Sequence, residues 1–238
     1  MDIDLVFTRA GHGPPLVLLH GNGEDRSYFS AQIDDFMWDY EVIALDTRGH
    51  GGSPRGNAPF TLPQFAEDLK DFLDSQQLLK IHLLGFSDGA NIALLFALKY
   101  PQYLSSLIVN SGNLSPSGMR LGTLCSVWAG YLAACAAAPF RPAFRRKKEL
   151  FRLMALEPHI APEQLKSIRV PTLVIAGERD MIRQSHTERI AQSIPGAKLC
   201  LIKGDHFAAA GNSTAFNRCV HSFLSEQTKQ ETPPPSRP

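Results

Sequence analysis

The stretch that decides the fold is LLGFSDGANIAL, residues 83–94. It begins as an apolar run typical of a buried strand and ends in a helical pattern. Between the two parts, Gly85 and Gly89 flank Ser87 in the spacing G-x-S-x-G. This spacing is typical of a nucleophile elbow, a strand-to-helix turn so sharp that larger residues at the two glycine positions would clash. The pattern predicts a Ser87 hydroxyl that projects above a sheet at a helix N-terminus, where N–H groups favour developing negative charge.

Working outward from this turn, short apolar runs alternate with helical patterns along most of the chain. Strands are predicted over residues 4–8, 14–21, 40–46, 81–86, 104–112, 170–180 and 198–204, and helices over 63–77, 90–101, 120–138, 144–156, 185–195 and 213–227. Because most of these strands are apolar on both faces and are separated by helices, the sequence predicts the α/β class. The expected architecture is a mostly parallel, twisted sheet with helices on both faces. Ligands of such sheets bind beyond the carboxyl ends of the strands.

The segment 113–168 breaks this alternation, because it is too long for a single crossover helix. It is predicted to be a short helical cap inserted over the strand ends. The core of the protein is then expected to comprise residues 1–112 and 169–227. The last residues, 228–238, are polar and rich in proline, which predicts a disordered tail.

The charge balance restricts the kinds of partner. The chain has 238 residues, which suits one domain, and its 24 Lys and Arg against 23 Asp and Glu give a net charge of +1. This balance argues against nucleic acid as the main partner. The basic cluster at 141–148, RPAFRRKK, is interpreted as a solvated helix face or loop, with a contact to anionic lipid or an acidic substrate as the alternative. The longest apolar tract, 127–140, is too short to span a bilayer, so no membrane partner is expected.

The N-terminus and the cysteines predict a cytoplasmic protein. The opening residues, MDIDLVFTRAG, include an acid at position 2 and no long apolar region, so a signal peptide is not expected there. Cys125, Cys135, Cys200 and Cys219 match no metal-ligand spacing, and they are interpreted as buried thiols in a reducing compartment. Neither a metal nor an organic cofactor is expected.

A serine hydroxyl is a weak nucleophile unless a base lies beside it. Of the eight histidines, His206 is the strongest candidate, because KGDHF directly follows the predicted strand 198–204. The imidazole needs an acid that fixes its tautomer and stabilises its cation. Asp180 follows a strand within a few residues and is favoured over Glu178, because it lies further along the loop. A helix N-cap is the alternative role of Asp180.

Donors for an oxyanion are expected in the loop His20-Gly21-Asn22-Gly23, which follows a predicted strand. Its glycines allow the backbone to approach a substrate closely. One backbone N–H is assigned to Asn22 and the other to Asp88, the residue after the elbow serine. Which amide of the pair 22–23 points inward is left open.

The chain resembles the α/β-hydrolase fold superfamily. Five stretches carry the resemblance: LVLLHGNG, VIALDTRGHGGS, LLGFSDGANIAL, VPTLVIAGERD and KGDHF. The resemblance covers nearly the whole chain except the cap and the tail. It implies Ser87 as nucleophile, Asp180 as acid and His206 as base. Two departures stand out, since only one strand is readable before residues 14–21, where the family usually has two, and the cap is short.

Further residues bear on the substrate. Phe86, Trp128, Tyr131 and Phe140 are candidates for an acyl pocket, although core packing is the commoner fate of such residues. The elbow Ser-Asp-Gly is similar to that of amino-acid-ester hydrolases of the valacyclovir-hydrolase type, which makes Asp88 a candidate partner for a substrate ammonium. The favoured alternative is that Asp88 suits the positive end of its helix.

These observations predict a serine hydrolase that cleaves a small carboxylic ester, or a thioester or lactone, through an acyl-enzyme on Ser87. The expected partner is a small-molecule ester. Two alternatives stay open, a C–C bond hydrolase or lyase of the same fold and a non-catalytic member that binds a ligand.

Overall fold

The structure, a computed structural model, describes residues 2–231 of the chain. The strands of this part are β1 (Phe7–Ala10), β2 (Pro15–Leu19), β3 (Glu41–Leu45), β4 (Ile81–Phe86), β5 (Leu104–Asn110), β6 (Thr172–Gly177) and β7 (Lys198–Ile202). The helices are α1 (Ser30–Phe36), α2 (Leu62–Ser75), α3 (Asp88–Lys99), α4 (Leu121–Ala137), α5 (Ala143–Leu156), α6 (Pro162–Leu165), α7 (Gln184–Ser193), α8 (Ala208–Gly211) and α9 (Ser213–Glu231).

The strands form one sheet in the order β1-β3-β2-β4-β5-β6-β7. Only β1 is antiparallel to its neighbour, and the other pairs are parallel. The predicted α/β class and mostly parallel sheet are therefore confirmed. Because the six parallel strands point the same way, the loops that follow β2, β4, β6 and β7 leave the sheet at one edge.

Strand β2 shows why the buried strands read as continuous apolar runs. Val17 and Leu19 face a core cluster that also contains side chains of α2, α3 and α7. Leu16 and Leu18 face the opposite cluster, which contains side chains of α1 and α9. Successive side chains point to opposite faces of a strand, so helices on both faces require every residue to be apolar.

The edge strand β1 begins later than the predicted range 4–8. Its residues pair with β3, and two of the four, Thr8 and Arg9, are exposed. Ile3 and Leu5 are instead buried in the core without belonging to a strand. The four residues of β1 show no apolar alternation, and the buried Ile3 and Leu5 before them moved the sequence prediction towards the N-terminus.

Helix α1 was not predicted, because a polar residue faces the core. Gln32 is fully buried, and its side-chain nitrogen donates to the carbonyl oxygen of Ala209 at 2.9 Å and to Oδ1 of Asn217 at 2.8 Å. These two hydrogen bonds offset part of the cost of burying the amide, whose Oε1 has no partner among the described residues. Apolar periodicity does not reveal a buried polar residue of this kind. At the other end of the chain, α9 runs beyond the predicted residue 227 to Glu231, and the rest of the predicted tail, 232–238, lies outside the described residues.

Between β5 and β6, helices α4 and α5 pack against each other, and we call residues 121–156 the α4–α5 hairpin. The ring of Phe151 occupies the space beside Gly130, where a Cβ atom would lie 2.5 Å from it. Arg120, the residue before the hairpin, is held to the loop after β6 by a hydrogen bond from its amide to the carbonyl oxygen of Met181 at 2.8 Å. The hairpin therefore lies near the strand ends.

The expectation of four buried thiols is wrong. Cys200 on β7 and Cys219 on α9 are joined by a disulfide, and Cys125 is exposed. The two bonded residues are 19 positions apart and meet only because α9 packs beside β7. The predicted cytoplasmic location loses this support and stays a prediction. Within residues 2–231, no helix combines the length and the apolar character needed to cross a bilayer.

Candidate active site

The backbone at Ser87 has the geometry of a sharp strand-to-helix turn. Its φ is +54° and its ψ is −117°, values that side-chain-bearing residues rarely adopt. The flanking glycines are needed for steric reasons, because a Cβ atom at Gly85 would lie 2.1 Å from the carbonyl oxygen of Gly89. A Cβ atom at Gly89 would lie 2.1 Å from the carbonyl oxygen of Leu19. The spacing G-x-S-x-G therefore reflects close packing of backbone on both sides of the serine.

The structure brings Ser87, Asp180 and His206 together. Nε2 of His206 lies 3.0 Å from Oγ of Ser87, and Nδ1 of His206 lies 2.7 Å from Oδ1 of Asp180. The three residues follow β4, β6 and β7, so the parallel topology places them at one sheet edge. The imidazole can accept the serine proton at one nitrogen while it donates to the carboxylate from the other.

The surroundings of Asp180 favour its charged form. Burial works against the charge, but the hydrogen bond to His206 and further donors, among them the amide of Ile182 at 2.8 Å, outweigh it. The pKa of Asp180 therefore lies below its usual value. The rival acid Glu178 is exposed, which separates it from this buried arrangement.

Hydrogen bonds of the His20 ring hold the loop at residues 20–23 in place. The amide of Thr47 donates to Nε2 of His20 at 3.0 Å, so Nδ1 carries the proton and donates to the carbonyl oxygen of Gly21 at 2.7 Å. Burial lowers the pKa of His20, which is consistent with a neutral ring. In the described part of the chain, the backbone N–H groups of Asn22 and Asp88 donate to no protein acceptor. Both amides are therefore available to a ligand.

Asp88 is a buried carboxyl without a cationic partner among the described residues. Its Oδ2 accepts from the side-chain nitrogen of Asn22 at 2.8 Å, and its Oδ1 accepts from that of Asn91 at 3.4 Å. Burial raises the pKa of Asp88 to about 6, and the charge of Glu157 acts in the same direction. The nitrogen of Asn22 also donates to the carbonyl oxygen of Leu150 at 3.0 Å, which brings α5 over this part of the site.

The sequence analysis did not identify two carboxyl groups that lie beside the site. Glu24 accepts from the amide of Gly21 at 3.2 Å, and burial raises the pKa of Glu24 to about 7. Glu157 accepts from the amide of Leu62 at 2.7 Å and so links the end of the hairpin to α2. An acid that directly follows a glycine-rich loop is a signal that could have marked Glu24, whereas nothing local marks Glu157.

The aromatic residues expected in an acyl pocket lie in different environments. Phe86 is buried below the site, stacked on Tyr28 at 4.4 Å and tilted against the His206 ring at 5.0 Å. Tyr131 packs with the apolar side chains of the hairpin, and its ring centroid lies 5.9 Å from that of Trp128.

Phe140 is 84% exposed and Trp128 is 38% exposed. The pocket expectation is therefore wrong for Phe140, and it is unsupported for Trp128, which lies on the outer side of α4. Helix α4 is apolar on all sides, so its sequence does not reveal which side packs inward.

No group of three or more His, Cys, Asp or Glu side chains in the described part of the chain is arranged to hold a metal ion.

Comparison with known proteins agrees with this architecture. A family model described as the alpha/beta hydrolase fold matches residues 14–155, which is more than half of the chain. Similar proteins include RutD of Stutzerimonas stutzeri (strain A1501), whose name proposes carbamate hydrolase activity. It is 27% identical over an alignment that covers 91% of this chain and 94% of that protein. Serine hydrolase BPHL of Mus musculus is 27% identical over 93% of this chain and 83% of that protein.

Among solved structures, a hydrolase from Pseudomonas aeruginosa PA01 superposes with a TM-score of 0.79. The sequences are 28% identical, and the match covers 93% of this chain and 94% of that one.

Proposed function

The chain belongs to the α/β-hydrolase fold family, and from this premise we propose that it is a serine hydrolase that cleaves a small carboxylic ester through an acyl-enzyme on Ser87. The observation that carries the proposal is the continuous hydrogen-bonded line from Ser87 through His206 to Asp180, with separations of 3.0 and 2.7 Å. A hydroxyl in this arrangement has a base on one side, and that base has an orienting carboxylate on the other.

The proposed reaction has two halves. In the first, Nε2 of His206 takes the proton of Ser87 while Oγ attacks the ester carbonyl carbon, and His206 then returns the proton to the leaving alcohol. In the second, His206 activates a water molecule that attacks the acyl-enzyme and releases the acid. Asp180 holds the Nδ1–H of His206 and stabilises the imidazolium that forms in each half.

The N–H groups of Asn22 and Asp88 are the proposed donors to the oxyanion. Their support is that neither donates to a described protein acceptor and that both lie on segments adjoining Ser87. The hydrogen bonds of His20 hold the loop 20–23, and so these donors, in position before substrate binds. Electrostatic preorganisation requires donors that are fixed in this way. One donor of this kind typically lowers the barrier by about 3 kcal/mol.

We propose in addition that the segment 113–168 acts as a cap over this site. Its support is the hydrogen bond from Asn22 to the carbonyl oxygen of Leu150 on α5 and the link between Glu157 and Leu62. Both contacts join the segment to residues beside the strand ends, so substrate access depends on where the hairpin lies.

The test combines covalent labelling with turnover. A fluorophosphonate probe should label the folded protein at Ser87, and a chain-length series of nitrophenyl esters should show a preferred acyl length. Ser87→Ala should abolish both signals. Ser126→Ala is the matched control, because its exposed hydroxyl donates only to the carbonyl oxygen of Gly122. Failure of the folded wild type to take the probe and to turn over any ester would refute the proposal.

A second reaction class uses much the same constellation, since same-fold C–C bond hydrolases and lyases also need an activated serine. Carbamates belong in the comparison as well, because the similar RutD protein is named for them. A panel of esters, carbamates and β-diketones assayed side by side separates these classes by product. Turnover of β-diketones alone would favour the C–C bond alternative.

One observation favours a narrower ester class. The Asp88 carboxyl is buried beside Ser87, and its side-chain partners among the described residues are the uncharged Asn22 and Asn91. A substrate ammonium would supply the missing positive charge. Aminoacyl and plain acyl esters of equal size test this, with Asp88→Asn as the variant. A preference for aminoacyl esters that disappears in the variant supports the class, and equal rates for both esters with wild type exclude it.

A further inference from the structure

Helix α4 leaves an uncharged, largely apolar side in solvent. Its exposed residues include Leu121, Cys125, Trp128, Ala129, Leu132 and Ala136. At 100° per residue these positions fall within about a third of the helix circumference, so they share one side of the helix. Leu121 is 76% exposed and Leu132 is 62% exposed, whereas Val127 and Ala134 on the other side are buried. We call the exposed side the outer face of α4. It extends about 22 Å along the helix.

The outer face continues into a basic tip, which we define as residues 138–147. Phe140 at this tip is 84% exposed. Four exposed cationic side chains follow it in the chain, namely Arg141, Arg145, Arg146 and Lys147. No Asp or Glu occurs between residues 121 and 148, and the next acid, Glu149, is already paired with Arg55 at 2.7 Å. Among the described residues, none of these four cations forms an ion pair, so the tip places positive charge beside an apolar surface.

The combination of the outer face of α4 with the basic tip differs from a single exposed apolar residue elsewhere on the surface. Trp38 is 75% exposed, but Asp34, Asp35 and Asp39 lie beside it in the chain, so no cluster of cations accompanies it there. Single exposed apolar residues of that kind are common on soluble proteins and need no explanation. An exposed apolar surface beside a cluster of cations combines the two contributions that bind a protein to an anionic bilayer, which are burial of apolar area and electrostatic attraction to the headgroups.

We propose that the outer face of α4 and the basic tip together form a docking surface for an anionic lipid bilayer. Helix α4 lies flat on the bilayer, with Leu121, Trp128, Leu132 and Phe140 among the acyl chains and the cations at the headgroups. A second copy of the chain is the less favourable occupant, because the surface carries no acid that could pair with those cations. The proposal runs against the sequence-based expectation of no membrane partner, and it does not depend on the reactivity of Ser87.

The two tryptophans of the chain give a direct test, because only Trp128 lies on the proposed surface. In Trp38→Phe, the remaining emission comes from Trp128. It should shift to shorter wavelength and become protected from acrylamide when vesicles of phosphatidylcholine and phosphatidylserine are added. Vesicles of phosphatidylcholine alone should give a much smaller change. In Trp128→Phe, the emission of Trp38 should not respond to either kind of vesicle.

Charge and apolar variants test the two parts of the surface separately. Arg145→Gln combined with Arg146→Gln should weaken partitioning into the anionic vesicles by at least about tenfold, and added salt should have the same effect. Phe140→Ser should weaken partitioning without changing its salt dependence. Trp38→Ser is the matched control and should partition like wild type.

Three outcomes would overturn the proposal. The first is that Trp128 does not respond to anionic vesicles in a folded protein. The second is an equal response to neutral and anionic vesicles. The third is a Trp128 emission that depends on protein concentration without vesicles, together with a dimer in sedimentation that Leu132→Ser dissolves, since that result would assign the face to a second copy.

Discussion

Nε2 of His206 lies 3.0 Å from Oγ of Ser87, although 119 residues separate the two in the chain. The ring reaches this position because its other nitrogen is held by Asp180 at 2.7 Å. The carboxylate therefore decides which nitrogen carries the proton. If the proposed reaction is correct, the alignment of Ser87 and His206 should depend on the charge of Asp180 more than on its size.

Asp180→Asn should accordingly lower kcat for a nitrophenyl ester by about 10³- to 10⁴-fold and leave KM nearly unchanged, because an amide stabilises neither the required tautomer nor the imidazolium. Steady-state kinetics on the folded variant measure this. Glu178→Gln is the control, because the exposed neighbour has no part in the arrangement. If Glu178→Gln lowers kcat as much as Asp180→Asn does, the assignment of the acid to Asp180 is wrong.

Gly89→Ala should destabilise the protein by about 3 kcal/mol or more, because the added Cβ atom would lie 2.1 Å from the carbonyl oxygen of Leu19 and backbone must move. Gly122→Ala is the comparison at another helical glycine, since its Cβ atom would meet nothing within 4 Å. It should be neutral or raise stability by up to about 1 kcal/mol. Chemical denaturation of both variants gives the two free energies, and equal values would contradict the steric account of the elbow.

Asp68→Asn should destabilise the protein by about 3–5 kcal/mol, because it leaves the buried guanidinium of Arg48 without full compensation. Asp68 accepts from Arg48 at 2.7 and 2.6 Å, and Arg48 is fully buried. The adjacent Glu67 is the control, since its ion pair with Lys99 at 2.7 Å is solvent-exposed. Glu67→Gln should cost no more than about 1 kcal/mol in the same denaturation experiment. A small effect at Asp68 would mean that Asp2, which also binds Arg48, suffices.

Asp88 should make stability depend on pH in a defined direction. Burial raises its pKa from 3.8 to about 6, so well below pH 3.8 the carboxyl is protonated in both the folded and the unfolded chain. Above pH 6 the folded protein must hold a buried charge, which lowers the free energy of unfolding by up to about 3 kcal/mol relative to acidic pH. Asp88→Asn removes this dependence, so its stability relative to wild type should rise between pH 4 and pH 7.

Denaturant unfolding of wild type and Asp88→Asn across this pH range measures the difference. The exposed Asp205→Asn serves as control and should follow the wild-type curve. If the difference between wild type and Asp88→Asn stays constant from pH 4 to pH 7, Asp88 is not a buried acid of raised pKa.

The local features of the fold could be predicted from the sequence. Alternating apolar runs and helical periods identified the parallel strands, and the glycines around Ser87 identified the turn, because each signal arises between residues close together in the chain. The prediction was wrong where burial did not follow hydrophobicity. Gln32 faces the core through its hydrogen bonds, and Ile3 and Leu5 are buried outside any strand.

Only the tertiary structure decided which residues far apart in the chain lie close together. The disulfide between Cys200 and Cys219, the place of Glu24 beside the loop 20–23 and the side of α4 that faces solvent all depend on how elements pack. The sequence determined the sheet and the turn because backbone propensity and side-chain periodicity act over a few residues. Distances between remote side chains follow from packing, which minimises exposed apolar area over the whole molecule and leaves no mark in any single segment.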